Sequence, residues 1–403
     1  MVTSRIRLSI IERLFCMMVL WASGTLLTTD YPIALYGIII VFAIMVAKGE
    51  ITMTKTQGRI LGGVFVFMVL SIVQNLIYSN GDGFDVVIKN YLIILCVFLF
   101  ANSKLEHNTE RIAFLVRLIV FFSIISSCLY IAYLMGAGLP MSYSKITESN
   151  HFFYLFCTGN NNLGIGLMYR NAGIFWEPGM YQVYLTFAIL YYLYSQNVRF
   201  RYLMIVYLTL VTITTFSVSA YAVMSLIFGF YVLRNNSSFI LKIIIALVVL
   251  VAAYYAYPFI KESMELKQET GSYMARSNDL SFGYKVFLNH PILGCGIVNN
   301  EYAKASSALL GVERPDSNGM INLLINLGLV GFCLVATFFI SFVKWARNNI
   351  SAFIVLGLIS WFVLSINTEP IVFHPFCEFI IGIGISYLLS KKQQRTVTIC
   401  TSE

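Results

Sequence analysis

Four stretches of the chain bring charged, amide and glycine residues together in patterns that can handle an anionic, sugar-bearing molecule. The richest is Arg170-Asn171-Ala172-Gly173-Ile174-Phe175-Trp176-Glu177-Pro178-Gly179. Pro178 suits the first turn of a helix, where its missing N–H is not needed. That puts Glu177 at the helix cap, where the helix dipole favours a negative charge and a carboxylate can serve as a general base. Arg170 can grip a phosphate through two parallel N–H bonds, and Trp176 and Phe175 offer faces for a sugar. The structural alternative is a capped helix with interfacial aromatics and an Arg at headgroup level.

The second stretch is Arg314-Pro315-Asp316-Ser317-Asn318-Gly319. Asp316 or Ser317 is a natural N-cap, and a helix N-terminus beside an Arg is also an anion site. The third is Asn289-His290-Pro291-Ile292-Leu293-Gly294-Cys295-Gly296, with Arg276 and Asp279 upstream. Its glycines permit a tight turn or a close backbone approach, and a GxG without GxxxxGK[ST] is weak evidence for a phosphate loop. A lone His290 serves in a turn as readily as in catalysis. The fourth is Asn367-Thr368-Glu369-Pro370, which repeats the Glu-Pro step, with His374 and Glu378 following. His374 and Glu378 share one helix face. A carboxylate below the membrane surface is costly and should face the bundle interior or water. Taken together, three helix N-termini with Arg170, Arg276 and Arg314 can converge on one anion, and a lipid diphosphate fits that depth.

The elements that must position these groups follow from composition. The 403 residues are 58% apolar, 15% aromatic and 11% charged, against about 45–50% apolar and about 25% charged in a typical soluble domain. Soluble cores stop growing at about 250–300 residues, so a soluble enzyme is excluded and many membrane spans are implied. Twelve apolar runs qualify, at 14–29, 32–47, 60–79, 86–101, 112–136, 179–196, 203–215, 218–233, 239–259, 319–343, 350–366 and 371–390. They are too long and uniform for barrel strands. The fold class is therefore all-α: a polytopic bundle forming one integral membrane domain over 1–403. The seventh and eighth runs are split at the polar Thr214–Ser219 stretch; one tilted helix is the alternative.

Charge supports the split. Sixteen Lys and Arg, from Arg5 to Arg395, fall on one side of the twelve-span arrangement, whereas the short loops on the other side hold only Lys89. By the positive-inside rule both termini are cytoplasmic, and segments 137–178 and 260–318 are long outer loops. Amphipathic pieces near 257–269 and 281–289 would help the second loop fold as a cap. Arg117 and Lys242 lie inside spans and are expected to snorkel. The net charge of +8 is thus topological and no nucleic-acid partner is implied. The N-terminal cations before an apolar run read as a retained signal-anchor. Eight scattered cysteines show no metal-binding spacing; Cys157 and Cys295 fall in the outer loops, where they read as free thiols, with pairing as the alternative. No internal repeat of the kind that builds many transporters is visible.

These motifs together resemble a bacterial polysaccharide repeat-unit polymerase of the Wzy type, in the O-antigen ligase/polymerase superfamily. The resemblance rests on Arg170–Gly179, the Thr215-Phe216-Ser217-Val218-Ser219 turn, His290–Gly296, and Asp316-Ser317-Asn318-Gly319 entering a helix with Gly328 and Gly331. It covers nearly the whole chain. It implies a GT-C-like fold and inverting, metal-independent, cofactor-free glycosyl transfer between undecaprenyl-diphosphate-linked glycans at the outer face of the inner membrane. The product is O-antigen, capsule or exopolysaccharide, and a chain-length regulator and a flippase are the implied partners. Arg170, Arg276 and Arg314 match the family arginines that hold the donor diphosphate. Ligase-type relatives carry a His-Asn pair where this chain has Ser317-Asn318. The base is then Glu177, with Asp316 and His290 as alternates; Trp176, Asn318 and Glu369 fall to sugar or acceptor. The competing functions are an O-antigen-ligase-type transfer to another acceptor and, in a different class, a flippase. A flippase would line several spans with cations, whereas here charge sits at span ends.

Overall fold

The computed structural model describes residues 6–25, 28, 32–79, 81–144, 149–152, 155–159, 170–195, 198–234, 281–310, 318–349 and 354–400. The expected span 239–259, the amphipathic piece 257–269, and Lys242, Arg276, Arg314, Asp316 and Ser317 lie outside them. The helices are α1 (Ile10–Trp21), α2 (Ile33–Ala47), α3 (Lys55–Tyr78), α4 (Phe84–Ser103), α5 (Asn108–Leu134), α6 (Pro178–Tyr194), α7 (Arg201–Ile213), α8 (Val218–Arg234), α9 (281–289), α10 (Glu301–Leu310), α11 (Gly319–Asn349), α12 (Ile354–Thr368) and α13 (Pro375–Cys400). Among the described residues, four segments are long and apolar enough to cross a membrane: Lys55–Tyr78, Phe84–Ser103, Leu105–Leu134 and Gly319–Arg347. The chain is an all-α polytopic membrane protein.

Two departures from the expected outline stand out. The final helix does not start at 371. Pro370 is followed by a 3-10 turn, Ile371–Phe373, and the α-helix opens on Pro375, the residue type pre-set for a first helical turn. Segment 137–178 also contains a small antiparallel sheet, β1 (Met141–Ser144), β2 (Ser149–Phe152) and β3 (Phe156–Gly159), in the order β1-β2-β3 with Met141 opposite Phe152 and Phe152 opposite Phe156.

The described residues fall into two compact units. The first comprises 1–118, 279–349 and 370–403, with α13 packed against α11, α4 and α1. Phe15, Phe100 and Phe379 stack through its core, at centroid spacings of 4.2 and 5.8 Å. Arg111 is not an exposed topology marker. It is fully buried, 2.6 Å from Glu12 and 3.9 Å over the Phe100 ring, and it also donates to the Phe100 carbonyl and Asn108 Oδ1. His107 Nδ1 lies 3.0 Å from the same Glu12 carboxylate.

In this unit α11 is broken at Gly328, whose φ of +61° and ψ of −165° are not helical. The 291–296 loop fills the break. Cys295 and Gly296 N–H donate to the carbonyls of Ile325 and Asn326, and Leu329 and Val330 N–H donate to those of Pro291 and Ile292. A Cβ at Gly328 would strike the Ile292 carbonyl, so the position requires glycine for space as well as for φ. The close backbone approach expected of Gly294 and Gly296 is thus to a helix kink. Cys295 is buried here among Phe282, Val286, Tyr302, Ile321 and Ile325, and that burial pushes its thiol up to about 12. Both Cys295 and Cys157 are free thiols.

The second unit comprises 119–278 and 350–369. Its centre is α6, buried at every residue except Tyr191, as expected of a helix apolar all round. It packs against α7, α8 and α12. The polar Thr214–Ser217 stretch does separate two helices: α7 ends at Ile213, α8 begins at Val218, and Phe216 between them has φ +46°.

Candidate functional site

The site is built on the segment that leads into α6. Asn171 is fully buried and ties this segment in place. Its Oδ1 accepts from Ser126 Oγ of α5 at 2.8 Å and from Gly173 N–H at 3.0 Å, while its Nδ2 donates to Thr214 Oγ1 at 3.2 Å. Its backbone N–H donates to the Thr214 carbonyl, and Arg170 Nε and Nη2 donate to the carbonyls of Thr215 and Phe216 at 2.8 and 3.3 Å. The turn between α7 and α8 therefore presents bare carbonyls that the Arg170-Asn171 pair covers, which fixes the plane of the guanidinium. Two motifs distant in sequence become one structural piece. Next, Ala172 and Gly173 bond to Cys157 as an extra rung on β3. Gly173 takes φ +63°, and a Cβ there would press on the Tyr181 ring at 2.7 Å.

The two aromatics then part company. Phe175 is buried and stacks on Tyr184 at 4.2 Å and 10°, and on Tyr181 at 5.8 Å. It belongs to the core, which corrects the expectation that it faces a sugar. Trp176 is half-buried.

Glu177 occupies the N-cap of α6 with extended backbone (φ −146°, ψ 156°), and Pro178 takes the first helical position. The side chain makes no capping hydrogen bond, so the carboxylate is not consumed by the helix end. Glu369, the residue following α12, meets it there. Glu369 is buried, its N–H donates to the Ser365 carbonyl, and its Oε1 occupies the space where a Gly179 Cβ would stand. A side chain at Gly179 would also come within 3.1 Å of Glu177 Oε1. Gly179 therefore lets two carboxyl groups close over the first turn of α6. The antiparallel packing of α12 on α6 that brings them there is pinned by Trp361 Nε1 donating to the Val183 carbonyl at 2.9 Å and by Trp361 against Phe187 at 5.0 Å. One turn further down α6, Gln182 is fully buried with neither amide atom hydrogen-bonded. The sequence singles out Asn171 within its motif but assigns it no role, and it passes over Gln182; the visible signal is an amide in or beside an otherwise apolar span.

The remaining candidates in the described residues belong to the other unit. His290 directly follows α9: its Nδ1 is 3.2 Å from Tyr78 Oη, with the rings edge-on at 4.7 Å. Asn318 is the N-cap of α11, its Oδ1 accepting from Met320 and Ile321 N–H at 3.0 and 3.1 Å. The cap thus falls on Asn318 itself; Asp316 and Ser317 lie outside the described residues. No group of three or more His, Cys, Asp or Glu side chains able to hold a metal ion occurs among the described residues.

Comparison with known proteins adds one match. Residues 200–336 fit the family model Wzy_C, described as O-antigen ligase. The match takes in the α7–α8 turn, the loop that fills the kink, and the entry to α11; the Arg170–Gly179 segment precedes it. It supports placing the chain in the O-antigen ligase/polymerase superfamily, as the motifs suggested. No curated protein matches the chain.

Proposed function

We propose that this protein polymerises undecaprenyl-diphosphate-linked oligosaccharide repeat units into a surface polysaccharide, at the outer face of the bacterial inner membrane and with both termini in the cytoplasm. The observation that carries this reading is the Glu177 carboxylate. It sits at a helix N-terminus without capping it, beside a second carboxyl, on a segment that also fixes Arg170.

In the proposed reaction the acceptor hydroxyl oxygen attacks the anomeric carbon of the donor sugar from the face opposite the diphosphate. The bond between that carbon and the diphosphate oxygen breaks, and the lipid diphosphate leaves with the electron pair. Glu177 takes the hydroxyl proton as a general base. Arg170, Arg276 and Arg314 neutralise the leaving group, which planar guanidinium groups do bidentately. Glu369 and Asn318 orient the acceptor, and Trp176 packs on a sugar ring. Asp316 and His290 are the alternate bases. A chain-length regulator and a flippase are the expected companions, and the whole chain acts as one membrane domain.

A second reading, ligation of a finished glycan to another acceptor, is favoured by the matched family, which is that of O-antigen ligase. Deleting the gene and running the surface glycan on a gel separates the two. A polymerase deletion leaves a single repeat unit on the final acceptor; a ligase deletion leaves none. Unchanged long polymer overturns both.

A further inference from the structure

The unit formed by residues 1–118, 279–349 and 370–403 contains a cavity of about 320 Å³ among α3, α4, α11 and α13. Its wall is almost wholly apolar, with Phe67, Phe98, Leu334, Phe338 and Ile381 among the lining residues. Along α13 the lining runs from Glu378 to Leu389, about 16 Å at the helical rise of ~1.5 Å per residue. Glu378 marks one end. Arg59, an exposed residue in the first turns of α3, and Leu389 mark the other.

Glu378 is not part of the diphosphate chemistry; it stands in the first turn of α13, where the helix dipole favours a carboxylate but supplies it no hydrogen-bond partner. It is 5% exposed, its Oε2 has no hydrogen-bond partner, and no cation pairs with it among the described residues. The Tyr91 hydroxyl in the same wall is already engaged with Ser71 at 2.6 Å. A carboxyl in apolar surroundings is expensive unless it is paired. What this cavity lacks is one donor, preferably cationic, joined to a long apolar body. The aromatic rings in its wall add to the preference, since π faces attract cations and repel carboxylates.

We propose that the cavity binds an amphiphile with a single amino head and one long hydrocarbon chain, its ammonium on Glu378 and its chain lying along α13 towards Arg59. The wall offers no second polar anchor between those ends, so a larger headgroup is not accommodated. The site is separate from the Arg170–Glu177 machinery and stands whether or not the polymerase reading does.

The test uses the full-length protein in nanodiscs and three probes of equal chain length: dodecylamine, dodecanol and dodecanoate. Native mass spectrometry counts the retained probe. Dodecylamine should be held most strongly. Glu378→Gln, which keeps size and packing, should weaken its retention about tenfold or more while leaving dodecanol unchanged. A Cβ on Gly63, which lines the cavity, meets nothing within 4 Å. Gly63→Phe therefore starts from an unobstructed Cβ, and with its ring in the cavity it should exclude all three probes. Equal retention of amine and alcohol, or amine retention untouched in both variants, overturns the proposal. So does preferred binding of dodecanoate that is lost in Arg59→Gln, because the head would then sit at the opposite end.

Discussion

Replacing Glu177 by Gln separates a cap from a base. Side-chain caps contribute about 0.5–2 kcal/mol, but Glu177 makes no such bond, so that contribution is absent from the wild type. What Gln removes structurally is a negative charge at the positive end of α6, about 0.3–1 kcal/mol for a surface group. The size of the side chain is kept. The thermal midpoint of the purified protein should therefore move by no more than ~2–4 °C. The chemical effect is far larger if the carboxylate accepts the acceptor's proton. Losing a general base slows a reaction by ~10²–10⁴-fold, or about 3–5 kcal/mol of barrier at 1.36 kcal/mol per decade. The assay is the initial rate of chain extension on lipid-linked repeat units in membranes carrying matched amounts of each variant, with Glu177→Asp expected to recover part of the rate. Wild-type extension by the Gln variant would move the base to Asp316. A loss of rate matched by a large fall in thermal midpoint would return Glu177 to a structural role.

The other expectations concern the surroundings of that group and the topology. Arg170→Lys should abolish long polymer although charge is kept, because an ammonium cannot reproduce the two fixed bonds to the Thr215 and Phe216 carbonyls and still meet phosphate with a planar fork; full-length polymer on a gel would refute this. Arg111→Met should lower stability by about 3–5 kcal/mol by taking the guanidinium from the buried Glu12 carboxylate and leaving it only His107 and the Ser9 N–H, and adding Glu12→Leu should restore part of it; a thermal-shift series on the two variants decides. Cysteines placed at Lys145 and Lys267 should react with a membrane-impermeant reagent in outer-membrane-permeabilised cells, and failure of both would invert the topology.

Helix positions were legible because bilayer-spanning helices declare themselves by uniform apolar runs. The expected 60–79, 86–101 and 218–233 lie within or a residue beyond α3, α4 and α8. The polar Thr214–Ser219 stretch does contain the break, though Val218 and Ser219 already belong to α8; threonine and serine hydroxyls can cover the turn's own backbone, as Thr214 and Thr215 do through Val211 and Thr212 carbonyls. What failed depended on contacts between remote segments. Arg111 looked like one more interfacial cation, because its partner Glu12 lies in the first helix. The β-strands are four residues long, too short for alternation to register. Phe175 and Trp176 are adjacent and equally suited to a sugar, and only the Tyr181 and Tyr184 rings decide between them. In the site, each Glu-Pro step was visible, yet nothing in either says that Glu177 and Glu369 meet over Gly179. That meeting depends on the α6–α12 packing.

The filled break in α11 also governs how the chain can be assembled. Residues 319–327, ahead of Gly328, span only ~13 Å at ~1.5 Å per residue, less than half of a hydrocarbon layer of about 30 Å. Bare carbonyls at Ile325 and Asn326 would each cost several kcal/mol in lipid. The N–H groups that quench them belong to Cys295 and Gly296, which leave the ribosome before α11 does. The loop is therefore synthesised before the helix whose break it closes, and neither segment has its backbone satisfied until the two have met. A chain that ends before residue 329 would lack the Leu329 and Val330 N–H groups that bond the Pro291 and Ile292 carbonyls, and so would leave the break open.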